Sequence, residues 1–524
     1  MAVNFKKKPE NFFIFFVFAL LTIESHAQSA DAVNYSNYST AISLNDQPNI
    51  AGIQLSCIHK VLYVALDSTT NLLTIKTKYS DDKVTLMVYD LVQKKLLWSR
   101  QVNPRKYNVI SLQKYILLTN EEKTQCFNKY TGVELWNSNR EVLYVNEKND
   151  VAFTYFTHFD ASHPDKLLEA ISLNDGKKIW KREIDRHFGW NEIQNMNDST
   201  IILSASGLHP IHLKTGKGWD FDAQTGELFK DDSEQLRKVA FVATTIAFGI
   251  FAGISVYYFT HTNELLWELC SNLIIEDGKI YYASKRTLSA LDLKGKLLWQ
   301  TKLVDEITGN SKLKIEDSLI IMVNKGYAAK GQSTMFYGTP YIATFNKSTG
   351  TQNFIKKINL EENAISDFKI KDEVIYLIQK ERMSSYSLKD GEFLNRMNMP
   401  AFIESRACQF KSKLDFKIRE GASIPSNNAS DSLLYVFSPQ HGLFIYSTNF
   451  NELGRIQSEN LFLKSHQYKD YQFFCTKDEL MVADSKGNTI ADLKMPGLSN
   501  FKSNWLYCVK DNAIYLFDLG QIKQ

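Results

Sequence analysis

The sequence predicts an all-β protein: a single β-propeller of seven or eight four-stranded blades, with an apolar helical insertion. Three observations predict it. A segment returns along the chain, made of an apolar strand, a turn built on Gly, Asn or Asp, and a second strand closing on an aromatic. It runs from Phe127 to Trp136, Ile171 to Trp180, Asp220 to Phe229, Ala290 to Trp299 and Phe345 to Phe354, with weaker copies from Tyr89 to Trp98, Tyr386 to Asn395 and Val482 to Ala491. The spacing is mostly about 35 to 60 residues, the period of a propeller blade. Phe and Tyr are plentiful (33 and 25) and suit pleated, half-buried surfaces, while Pro is scarce at 10.

The chain starts with Lys6, Lys7 and Lys8, then an apolar run from Phe12 to Ile23, then Ser25 to Ala27. A basic start, an apolar core and a small-x-small exit describe a secretory signal peptide over 1–27, with cleavage expected after Ala27. The apolar run is short for a membrane span. No Cys follows it closely, so lipid attachment is not expected. The mature chain is therefore expected in the periplasm or outside the cell. Residues 28–54 read as an N-terminal extension and 55–522 as the propeller.

One unit is clear at 271–305. Asn272 to Ile275 reads as a first strand, Glu276 to Lys279 as a turn, and Lys279 to Ala283 as a second strand. Leu288 to Asp292 is a third, and Lys294-Gly295 turns into Leu297 to Trp299. One such sheet cannot bury its own faces, and radial stacking of several does. The closing aromatics Trp98, Trp136, Trp180 and Trp299 are expected to pack between neighbouring blades. The last strand, Ala513 to Asp518, lacks a following partner. It is expected to close the ring on a strand near Val61 to Leu66.

Lys plus Arg number 61 against 58 acids, a net charge of +3. With no basic block after the signal peptide, nucleic acid is not an expected partner. The six Cys residues are unpaired in sequence, and those in apolar runs read as buried thiols. His209 with His212, and His158 with His163, are the close His pairs, and His209 to His212 has no Cys or carboxylate at ligand spacing. The acids Asp90, Asp175, Asp220, Asp222, Asp292 and Asp390 sit in turns and read as turn formers. No catalytic motif stands out, so no catalytic, metal or cofactor residue is assigned.

These units resemble the PQQ-like propeller repeat, whose core is an aromatic or Ala, then Asp two on, then Thr-Gly, then Trp. Phe127 to Trp136, Ile171 to Trp180 and Ala290 to Trp299 carry the likeness. The resemblance implies a propeller. The family holds quinone-dependent dehydrogenases and also non-catalytic envelope propellers, such as the lipoprotein of the outer-membrane β-barrel assembly machinery. The dehydrogenases need a bound quinone, Ca²⁺ and a basic Asp, and many carry a vicinal Cys pair that this chain lacks. The expectation is thus a non-catalytic scaffold or recognition module in the cell envelope, with a quinone-dependent dehydrogenase as the alternative.

One stretch stands apart. Val239 to Phe259 is a run of 21 residues, 239–259, without a charge. That length spans a bilayer as a helix. Repeat units lie on both sides, however, and a single crossing would part them. Two compact blades between Phe229 and Trp299, with a copy from Tyr258 to Trp267, are one reading. The other, preferred here, is an insertion over 231–270 with Gly249 and Gly253 at GxxxG spacing. Phe248, Gly249, Phe251, Gly253 and Tyr257 are its expected contacts with a membrane surface or envelope protein. The loops 158–166 and 206–219 are further candidate surfaces.

Overall fold

The computed structural model describes residues 33–522, except 43–49, 81–82, 103–107, 121, 156–165, 229–237, 240–264, 305–306, 331–332, 359–363, 380–381, 400–407, 413–414, 419–432, 477, 496 and 498. Among the described residues, regular structure is antiparallel strand apart from short 3-10 turns. Ten sheets follow one another as blades. Blades 1 to 4 run over 60–102, 108–138, 142–183 and 192–222. Blades 5 to 8 run over 274–302, 311–357, 365–398 and 409–456. Blade 9 covers 461–494, and blade 10 joins 500–518 to 33–57.

The core lies between blades. Leu72, Val88, Ile116 and Phe127 join blades 1 and 2, and Phe153, Leu168, Ile201 and Ile211 join blades 3 and 4. The other neighbouring pairs each share a cluster of the same kind. A tenth, containing Leu55, Leu73, Met87 and Ile514, joins blade 10 to blade 1, so the ring closes.

The fold class is the expected one, but the described residues form ten blades rather than seven or eight. The repeat signal is strong only where the fourth strand closes on an aromatic. It is weak in blades 7 and 9, which close on Asn395 and Ala491, and absent in blade 8, which carries Gly454 there, and blade 10 is assembled from both ends of the chain. Ring closure also differs in detail. Ala513–Asp518 pairs with Ile50–Cys57, setting Leu55 against Ile514, while Lys60–Asp67 is the first strand of blade 1. Residues 33–42 and 50–54, expected as part of an extension, are strands of the closing blade.

First strands line the central channel. The Glu192 carboxylate accepts the Leu273 amide at 2.6 Å, Asn272 Oδ1 accepts the Leu313 amide at 2.7 Å, and Asp367 accepts the Phe410 amide at 2.8 Å. Each contact ties the first strand of one blade to that of the next, an approach available only near the ring centre. Each also satisfies an N–H that an inner edge strand leaves unpaired. Fourth strands form the outer rim and alternate exposed with half-buried, as in Leu297–Lys302.

Two additions depart from the repeat. Phe416–Ile418, from within blade 8, pairs with Leu461–Tyr468 of blade 9. An accessory five-stranded sheet is built from Glu227–Leu228, Leu265–Trp267, Tyr327–Lys330, Ser333–Phe336 and Lys238–Val239, in that spatial order. Its material comes from the link between blades 4 and 5 and from a hairpin between the second and third strands of blade 6. In an up-down sheet, such links and second-to-third turns fall on one face of the ring, and the Gly-bearing third-to-fourth turns fall on the other.

Candidate functional site

The first five interfaces share one device. The indole N–H of Trp98 donates to the Lys129 carbonyl at 2.7 Å, that of Trp136 to Leu173 at 2.7 Å, and that of Trp180 to Leu213 at 2.7 Å. Trp219 donates to Leu293 and Trp299 to Lys347, both at 3.2 Å. Each acceptor lies in the third-to-fourth turn of the next blade. The ring lies flat on a glycine of that turn: a Cβ at Gly132, Gly176, Gly216, Gly295 or Gly350 would come within 2.3 to 2.8 Å of the indole. Phe354 occupies the same place above Gly391. The turns themselves are held by their first residue. Asp90 accepts the amides of Val92 and Gln93, and Asn128 those of Tyr130 and Thr131.

Sequence reading missed Trp219. It aligned Asp220 to Phe229 as a repeat, whereas the turn of blade 4 is His212 to Gly216 and the docking ring is Trp219. The Thr215-Gly216 pair followed by Trp219 was the available signal. Asp220 is not a turn former. It accepts His209 Nδ1 and Arg182 Nη2, both at 2.6 Å, and the His209 hydrogen bond leads in lowering its carboxyl pKa. His209 and His212 lie on strand Gly207–His212, not on a loop. Pro210 is tolerated because the fourth strand pairs only with Gly207 and Leu208.

The accessory sheet is fixed to the ring by buried polar contacts. Lys285, in the second-to-third turn of blade 5, pairs with Glu227, and the Tyr337 hydroxyl donates to the same carboxylate. Thr225 Oγ1 donates to the Ala205 carbonyl at 2.6 Å. Gly226 sits against Phe188, which a Cβ there would meet at 2.5 Å. Trp267, expected to end a blade copy, lies in this sheet, and one blade rather than two fills 274–302.

Beside this sheet is a charged group. Glu268 has a left-handed backbone, φ 60°, and receives a long contact of 3.4 Å from Asn310. It keeps part of its surface in contact with solvent although protein closely surrounds it. Burial lifts its carboxyl to about 7, against the pull of Lys325. Burial lowers the Lys325 ammonium, opposed by Asp367 and Glu268. Burial also raises the carboxyls of Glu192 and Asp367, whose work is the strand tie described above.

Phe248, Gly249, Phe251, Gly253 and Tyr257 lie outside the described residues, as do 156–165. Their flanks are described. Lys238–Val239 pairs with Thr334 and Met335, and Leu265–Trp267 pairs through Leu266 and Trp267 with Ala329 and Lys330. The two flanks run antiparallel, three strand spacings apart, so about 14 Å separates them. Both face the 331–332 end of the hairpin. Residues 240–264 therefore leave and re-enter at the same end of one sheet. The six cysteines, all among the described residues, form no disulfide, and burial lifts the Cys57 thiol to about 11 and that of Cys126 to about 12. No group of three metal-ligating side chains gathers among the described residues, and no described helix is long and apolar enough to cross a membrane.

This architecture is a β-propeller. Residues 63–249 match a family model described as outer membrane protein assembly factor BamB, so the repeat is PQQ-like over that stretch. Among solved structures, BamB from Moraxella catarrhalis is 11% identical, overlaps 78% of this chain and 99% of its own, and has a TM-score of 0.33. Hsv2 from Kluyveromyces lactis is 8% identical, with 67% and 99% overlap and a TM-score of 0.27. Apo AztD from Citrobacter koseri is 10% identical, with 74% and 96% overlap and a TM-score of 0.30. Similarity at that level carries no argument about function. No curated protein matches the chain.

Proposed function

We propose that the chain is an exported, non-catalytic β-propeller that serves as an interaction scaffold in the cell envelope. In this reading, residues 239–259 make its contact with a membrane surface or with an envelope protein. The observation that carries the reading is the anchoring of both flanks of that segment at one end of the accessory sheet. Because both flanks belong to one sheet on the ring, the 21-residue uncharged stretch does not have to part the blades. The BamB-type match supports the envelope setting, as does the signal-peptide pattern of residues 1–27.

The test compares the chain from residue 28 with a variant in which 241–263 is replaced by a Gly/Ser linker. Vesicles of phosphatidylethanolamine and phosphatidylglycerol are floated with each. The intact chain floats and the variant stays in the dense fraction if the segment contacts lipid. A variant that folds and floats equally well overturns the lipid contact. If neither floats, the segment's partner is a protein, and cross-linking from Phe251 in intact cells identifies it.

A further inference from the structure

We propose that the outer rim between blades 7 and 8 is a docking site for an aromatic side chain carried on an extended segment of a partner protein. The argument is independent of residues 239–259.

The ring supplies its own template. In blade 3, Trp180 lies across from Ala170 and next to Phe153, with ring centres 5.2 Å apart. In blade 5, Trp299 lies across from Ala290 and beside Tyr281, at 6.2 Å. The same register in blade 7 places Asn395 across from Ser385, next to Tyr376. Asn395 makes a related hydrogen bond to the same turn: its Nδ2 donates to the Asn449 carbonyl of blade 8 at 3.0 Å, one residue beyond the position that accepts an indole elsewhere. It does not reproduce the volume. A cleft of about 340 Å³ stands there, lined by Tyr376, Ser385, Asn395 and Asn449, with Leu394 and Asp372 among its walls.

The turn of blade 8 has changed in step. Where the docked blades have glycine, Phe450 holds φ 66°. Its ring reaches back to Tyr376, edge-on at 6.0 Å, and is buried. A Cβ at the glycine position collides with a docked indole at the other interfaces. A docked indole and a side chain at this turn position exclude each other, so Phe450 accompanies Asn395 here, and the cleft remains beside them. A bulky residue in the left-handed region is strained, and the neighbouring packing must offset that strain.

What the cleft accepts follows from its shape and rim. It has the place that five indoles use elsewhere in this ring and the aromatic wall that Trp180 and Trp299 use. Beside it, Phe393 and Leu394 stand 48% and 51% exposed on the outermost strand of blade 7. That strand has an open edge, so an incoming extended segment can pair along it while its aromatic enters the cleft. The apolar pair then covers the segment's flanking side chains.

The test uses fluorescence polarisation of a dye-labelled, capped heptapeptide with a central Trp between Thr and Val, and the same peptide with Leu. The Trp peptide is expected to bind and the Leu peptide to bind at least about tenfold more weakly, the aromatic contribution expected of a fitted slot. Asn395→Trp with Phe450→Gly rebuilds the docked pair from within and should abolish binding. Leu394→Asp, at an exposed position, should weaken binding without changing the melting midpoint, and it serves if the double variant does not fold. Absence of binding, equal binding of the Leu peptide, or binding unchanged in both variants overturns the proposal. Binding of free N-acetyltryptophanamide as tightly as the peptide also overturns it, in favour of a small aromatic ligand.

Discussion

A methyl group on Gly176 has no room. Its Cβ would meet the Trp136 ring at 2.8 Å, and φ is 69°. Gly278, in the turn of blade 5, has φ 70° but nothing within 4 Å of the same added atom. The two glycines separate backbone strain from ring contact. Gly278→Ala is expected to cost about 1 kcal/mol, the left-handed penalty alone. Gly176→Ala adds overpacking and should cost roughly 2–4 kcal/mol. Thermal midpoints of the two variants check this, and equal shifts would refute the docking account. Glu268 gives a pH-dependent counterpart. Its carboxyl is raised from 4.5 to about 7 by burial. Below pH 4.5 it is protonated in both states. Between 4.5 and about 7 the unfolded chain ionises first, so stability falls as pH rises, and above 7 the loss is complete. The midpoint difference between Glu268→Gln and the native chain should therefore grow over that window. At this scale the sequence was informative: the Thr-Gly turn and the Trp after it are local chemistry. Glu268 was not legible, because its surroundings come from other blades.

A doublet recurs at the end of the repeat: Leu97-Trp98, Leu135-Trp136, Ile179-Trp180 and Leu298-Trp299. Two adjacent apolar residues break the alternation of a strand with one wet face. The strand registers explain it. Pairing in blade 5 runs Ala290 with Trp299 and then Leu291 with Leu297, so Leu298 is a bulge. The same skip falls at Leu97, Leu135, Ile179 and Leu394. The bulge turns the following aromatic toward the next blade and leaves its own side chain outside, with Leu135, Ile179, Leu298 and Leu394 exposed. Leu298→Lys should then shift stability by no more than about 0.5 kcal/mol. Trp299→Lys should cost roughly 3–5 kcal/mol, by loss of a large half-buried ring and its hydrogen bond. Urea midpoints decide, and a large effect of Leu298→Lys would sink the bulge assignment. The accessory sheet had no such local sign. Its two-residue strands Glu227–Leu228 and Lys238–Val239 pair across about forty and about a hundred residues, and nothing in a two-residue step specifies a partner that far away.

The ring as a whole depends on one seam. Nine interfaces join blades that follow each other along the chain, but the tenth needs the two ends of the chain in one sheet. Among the described residues Val33–Ile42 pairs with Ile50–Cys57 alone and gives Val33 to the cluster shared with blade 1, whereas Ile50–Cys57 also pairs with Ala513–Asp518 and gives that cluster Leu55 and Cys57. The two strands therefore have unequal weight. Removing 28–48 takes away the outermost strand and leaves the ring closed. Removing 28–58 takes away the fourth strand of blade 10, exposes the strand Ala513–Asp518 as an edge, and uncovers Leu73, Met87 and Ile514. Each large apolar side chain uncovered costs roughly 1.5–3 kcal/mol, and the same deletion removes the short link from Cys57 to Lys60 that holds blade 10 to blade 1. The shorter deletion should keep a native radius of gyration in small-angle scattering and lower the melting midpoint modestly. The longer one should give an expanded, aggregation-prone particle, since an open propeller presents both a bare edge and a bare face. A compact particle after the longer deletion would mean that nine interfaces hold the ring without its seam.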